Sequence, residues 1–145
     1  MHIKKSHLLL SALLVSATAV MAQTSTDIPS QTSGLQWQTD GAAQHVCGGV
    51  SDEDMSAIKT YRSSANGELL FTGGTQGAYL ANVDITIHGK HLSSPLSFMA
   101  DGPVCLLRLP KGNYVVDAVY QGVEIKKNIQ INGTRQKTQF RWSAY

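Results

Sequence analysis

From Glu68 to Trp142 the chain repeats one motif, a short run with apolar residues at every second position followed by a turn signal. In "LANVDITIHG", Val83, Ile85 and Ile87 alternate with Asp84, Thr86 and His88. In "NYVVDAVY", Tyr114, Val116, Ala118 and Tyr120 share a face. "VEIKKNIQI" places Val123, Ile125, Ile129 and Ile131 together, with Lys127 as the exception, and "TRQKTQFRW" ends with Phe140 and Trp142 on one side. "PVCLLRL" points Cys105, Leu107 and Leu109 one way, and "ELLFT" is short and apolar. "LSSPLSFMA" contains Pro95, which cannot donate to a sheet ladder, so this strand belongs at an edge or is broken. Period-2 alternation is the pattern of half-buried strands, because successive side chains point to opposite faces. Between the runs lie Gly89-Lys90, Asp101-Gly102-Pro103, Lys111-Gly112, Gln121-Gly122 and Asn132-Gly133. The spacing predicts an all-β fold, an antiparallel Ig-like sandwich of about seven strands.

One stretch ahead of the strands has a different period. In "SDEDMSAIKTYRSSANG", Met55, Ile58 and Tyr61 or Arg62 fall at helical spacing. Ser51 is a suitable N-cap, and Asp54 three residues later resembles the partner in a capping box. Asp52, Glu53 and Asp54 occupy the first turn, where the helix dipole favours negative charge. Asn66-Gly67 is the stop signal, so one short N-terminal helix is expected.

The first 22 residues have the pattern of a signal peptide. Lys4 and Lys5 form a basic head, "LLLSALLVSATAVMA" is apolar and small, and Val20 and Ala22 suit cleavage before Gln23. The apolar run is short for a membrane span, and no later run is longer. Residues 23–44 are rich in Ser, Thr, Gln and Gly, with Ile28, Leu35 and Trp37 as the only large apolar residues, and they read as a flexible or loosely docked arm. Residues 45–145 then form the single β-sandwich domain. The expected location is periplasmic or secreted.

Charge narrows the partners. The chain carries 12 Lys+Arg against 10 Asp+Glu. Lys4 and Lys5 lie in the leader, so the remainder is balanced. A balanced domain has no electrostatic footprint for nucleic acid. Both cysteines, Cys47 and Cys105, lie beyond the leader, and an exported pair reads as a disulfide. The bridge would close a loop of about 58 residues, worth about 4 kcal/mol in the chain-entropy account.

The stretch "GPVCLLRLPKGNYVVDAVYQG" resembles the carboxypeptidase regulatory-like domains, which have a transthyretin-like (prealbumin-like) sandwich. Gly102, Leu107, Leu109, Pro110, Gly112, Tyr114, Val116 and Ala118 carry the likeness. "GAYLANVDITIHG" resembles the companion strand of that family. The resemblance covers about half of the chain beyond its leader and implies a transthyretin-like fold without naming an activity. Cys105 stands where the family has a core residue, which suits a bridge back to Cys47. Pro110 and Gly112 then form a structural corner, with Tyr114 placed as the tyrosine of a tyrosine corner. The same fold hosts hydroxyisourate hydrolases, which carry a Tyr-Arg-Gly-Ser ending. Here the last residues are "RWSAY", so that carry-over fails.

Few residues point to chemistry. His88 and His91 in "IHGKHL" are weak metal candidates, since zinc takes further protein ligands and His45 is distant in sequence. A turn at Gly89-Lys90 explains them as well. Asp52, Glu53 and Asp54 lack the alternation of a calcium loop. No G-x-S-x-G nucleophile elbow is present, and Asn132-Gly133-Thr134 reads as a turn ahead of a glycosylation site. Tyr79, Tyr120, Trp142 and Tyr145 are candidates for an aromatic binding surface.

These features lead to the expectation of a non-catalytic exported module that binds a protein or glycan partner in the cell envelope, with no cofactor, no catalytic residue and no resident metal. The alternatives are a small periplasmic hydrolase, which requires a pocket holding at least two of His45, His88, His91 and the acids, and a fimbrial-type structural subunit.

Overall fold

The computed structural model describes residues 34–143. The expected signal peptide, residues 23–33 of the expected arm, and Tyr145 lie outside the described residues. Among the described residues are ten strands and one α-helix. The strands are β1 (Gln38–Asp40), β2 (Ala43–Gly48), β3 (Gly67–Gly73), β4 (Ala78–Tyr79), β5 (Val83–Gly89), β6 (Leu96–Ala100), β7 (Val104–Arg108), β8 (Gly112–Tyr120), β9 (Val123–Ile131) and β10 (Gln136–Trp142). The helix α1 spans Asp52–Tyr61 and is followed by a 3₁₀ turn at Arg62–Ser64.

The seven expected strands are all present, as β3 and β5 to β10. The three others are β1, β2 and β4. They form two sheets. One has the order β1-β2-β7-β3-β10, with β4 continuing the β7 side of β3, and the other has the order β6-β5-β8-β9. β7 pairs with β3 from Gly67 to Leu70, and β4 takes over at Thr72 and Gly73.

Two expectations need correction. The sandwich is not wholly antiparallel, because β10 runs parallel to β3, with Gln136 opposite Gly67 and Trp142 opposite Gly73. The chain leaves β9 in one sheet, turns through residues 132–135 and enters the other at the end where β3 begins. There the Gln136 amide donates to the Asn66 carbonyl at 3.2 Å. Alternation reports which face a residue takes and carries no information on strand direction. The sheet also begins before His45. Gln38–Asp40 pairs with Ala43–His45, so residues 38–44 belong to the sheet and not to an arm. Leu35 and Trp37, polar neighbours notwithstanding, pack against the helix layer.

The sheets enclose the main core. Leu69, Phe71, Cys105, Leu107, Phe140 and Trp142 meet Ile85, Ile87, Tyr114, Val116, Ala118 and Ile131 across it. A smaller core lies on the other side of the first sheet, where Ile58 of α1 covers Val46, Val104 and Leu106. This explains why "VCLLR" is apolar without alternation. Its strand is covered on both faces, and continuous apolar runs belong to such strands. Ser51 caps α1 by accepting from the Asp54 amide at 3.1 Å. Tyr61 fixes the incoming chain by donating from its hydroxyl to the Leu35 carbonyl at 2.9 Å.

Beyond Tyr61 the chain reaches β3 through Asn66. The Asn66 side chain donates to the Leu109 carbonyl at 2.8 Å and accepts from the Leu109 amide at 3.0 Å, which mimics a strand partner. Among the described residues, no helix is long and apolar enough to cross a membrane.

Candidate functional site

The corner residues are held by packing and hydrogen bonding. Gly112 has φ +155°, and an added Cβ would strike the imidazole of His91. The chain then enters β8, where Tyr114 is 1 % exposed. Its hydroxyl donates to the Pro110 carbonyl at 2.5 Å. Burial pushes the phenol pKa above its ordinary value. The segment is therefore a fixed corner of the fold.

Cys47 and Cys105 form the disulfide, with their Cα atoms 4.1 Å apart. They sit directly opposite each other on β2 and β7. The bridge thus joins neighbours within one sheet and does not span the two sheets.

The three described histidines stand in three environments. His88 points outward from β5, and its Nε2 lies 3.2 Å from Asp117 Oδ2 on β8. Lys126 of β9 approaches the other carboxylate oxygen at 3.4 Å. This row is a cross-strand set of polar contacts on the outer face of the second sheet. His91 lies in the loop after β5, against Gly112. His88 and His91 therefore make separate contacts, and no group of three or more His, Cys, Asp or Glu able to hold a metal occurs among the described residues.

His45 is the residue whose setting the sequence pattern missed. It lies on β2, on the same face as Ala43 and Cys47, and its ring stacks on Phe98 of β6 at 3.9 Å with planes 11° apart. Its Nδ1 is buried with no hydrogen-bond partner among the described residues. Burial pushes its pKa below the ordinary imidazole value, while Asp40 and Asp101 act in the opposite direction. His45 lines a notch of about 140 Å³ between β2 and β6, together with Leu35, Gln36, Gln38, Met99 and Asp101. The one signal in the sequence was the alternation of Ala43, His45 and Cys47, hidden by the apolar Val46 between the last two.

A second recess, of about 250 Å³, is lined by Asp40, His91, Ser93 and Ser94 among others. These are the residue types of a hydrolytic triad. Among the described residues no hydrogen bond or ion pair links them, so no base is oriented on a hydroxyl.

The other candidates do not converge. Asp52 and Glu53 are exposed at the start of α1, as the dipole reading expects. Tyr79 is 65 % exposed, whereas Trp142 is buried in the main core, with its Nε1 donating to the Val123 carbonyl at 2.8 Å. Tyr120 packs on Trp142 with ring centroids 5.8 Å apart and planes tilted by 56°. The described aromatics therefore do not make one binding surface. No protein-family model matches the chain, and a search of curated proteins finds no match.

Proposed function

We propose that the protein is a non-catalytic module, exported to the periplasm or beyond, that binds a protein or glycan partner in the cell envelope. The observation that carries the reading is the dispersal of His45, His88 and His91 into three settings, none with an oriented nucleophile. Catalysis by acid–base or nucleophilic routes needs such groups in mutual contact. The leader-like first 22 residues and the disulfide support export. The resemblance to carboxypeptidase regulatory-like domains supports a scaffold role, and the Pro110–Tyr114 corner lies within the stretch that carries it. A fimbrial subunit is less well supported, since its core awaits a neighbour's strand. Here Phe71, Ile87 and Phe140 are sealed by the chain itself.

The test is in-cell crosslinking of the protein in envelope fractions, followed by titration of the captured partner against purified protein, with a glycan array in parallel. Saturable binding is expected. The rival is a small periplasmic hydrolase using the recess with Asp40, His91, Ser93 and Ser94. Turnover of an ester or peptide panel that is lost in His91→Gln would overturn the module reading.

A further inference from the structure

The edge strands among the described residues are not alike, and β4 is only two residues long. β1 is three residues long. β9 carries Glu124, Lys126 and Lys127, charges that blunt pairing with a foreign strand. β10 is bridged to β9, because Lys127 Nζ donates to the Gln139 carbonyl at 2.6 Å and Trp142 Nε1 to that of Val123. β6 has the sequence "LSFMA", with no charge and no internal proline, and it pairs with β5 on one side only. Met99, pointing away from the core, is 59 % exposed. Such an edge offers alternate backbone N–H and C=O groups to an added strand.

The notch lies beside this edge. Met99 and Asp101 at the end of β6 line it together with His45, Gln36 and Gln38. Asp101 lines the notch, Asp40 is the other acid acting on His45, and among the described residues no Lys or Arg lines the notch. The nearby Arg108 is engaged elsewhere, by Gln44, by Ser64 and by the face of Trp37. The notch is therefore complementary to a cation.

We infer that β6 is a docking edge, where an extended segment of a partner protein adds as a further strand and sends a Lys or Arg side chain into the notch between His45 and Asp101. This rests on the binding-module reading and specifies its partner class. A second copy is a poorer occupant. β6 brings no cation of its own to fill the notch. Period 2 in the added strand would direct alternate side chains toward the notch, which gives the site its selectivity.

The test uses the full chain and two fluorescein-labelled heptapeptides. Both alternate valine and threonine, one with a central lysine and one with a central glutamate. Fluorescence anisotropy should show the lysine peptide binding about tenfold more tightly than the glutamate peptide. Asp101→Asn should weaken the lysine peptide about fivefold and leave the melting temperature unchanged. Amide exchange should slow within Leu96–Ala100 on binding. Equal affinity for the two peptides, protection on β9 or β10 instead, or no effect of Asp101→Asn would each overturn the proposal. A dimer that the peptide dissociates would also overturn it, by giving the edge to a second copy. If a captured envelope partner binds with full affinity to Asp101→Asn while the peptide is ignored, the module reading stands and the β6 proposal alone falls.

Discussion

The ring of Tyr114 occupies the space that a side chain at Gly89 would fill. The two residues are register partners on β8 and β5, and a Cβ at position 89 would overlap ring carbons of Tyr114. Glycine is required here by close approach, since its backbone is not in a left-handed conformation. Gly89→Ala should therefore destabilise the fold by about 1–3 kcal/mol through overpacking. Chemical denaturation checks the value. The combination with Tyr114→Ala should cost less than the sum of the two single changes, because the clash is then gone.

Tyr114→Phe keeps the ring and removes one hydrogen bond. The Pro110 carbonyl loses its donor, so a loss of about 1 kcal/mol is expected. A melting temperature equal to that of the wild type would show that the hydroxyl does not hold the corner.

The disulfide should matter more than any single hydrogen bond. Cys47→Ala with Cys105→Ala opens a loop closed over a separation of 58 residues. The chain-entropy account gives a loss of about 4 kcal/mol. Urea unfolding of the double variant, beside reduced wild type, measures it. A midpoint that does not move would show that the bridge adds nothing to stability.

Glu68 is 3 % exposed on the outer side of β3, with Arg62 at 3.0 Å and Arg135 at 3.4 Å. Both arginines keep partial access to water, so they can swing out when the carboxylate is removed. Glu68→Ala should cost about 2 kcal/mol, below the loss for a fully enclosed pair. A denaturant titration giving no loss would place Glu68 among surface ion pairs of little value.

His45 should make stability fall with acid. Its folded pKa lies below the ordinary 6.5 because burial disfavours the charged ring. Between the folded value and 6.5, the unfolded chain binds more protons than the folded one. The stability held above pH 6.5 is therefore lost as pH falls through that window toward the folded value. His45→Phe preserves the stack on Phe98 and removes the titration. Its stability should be flatter with pH in that range. An unchanged slope would assign the acid sensitivity to other groups.

Much of the fold was legible in the chain because burial on one face of a strand leaves period 2 in the sequence. Val83, Ile85 and Ile87 are buried as their alternation requires, and Tyr114, Val116 and Ala118 likewise. Ser51 caps the helix where the polar and acidic run begins. β2 escaped notice since its inward row, Ala43, His45 and Cys47, contains no large aliphatic residue. β1 and β4 are too short to show any period. The site was less legible, because the notch combines β2 with β6, strands that are far apart in sequence and lie in different sheets.

The sequence by itself determined which residues of β5 and β8 face inward, where the chain turns, that a helix lies ahead of β3, and which cysteines are available to pair. Those features are local, since each follows from a period, a cap or a turn residue. Only the tertiary structure decided that β10 runs parallel to β3, that Cys47 and Cys105 are neighbours in one sheet, that Leu35 and Trp37 close over the outer face, and that His45 meets Phe98 beside an uncharged edge. Those are contacts between distant segments. They are selected by how two sheets and a helix fill space together, and no local pattern records that choice.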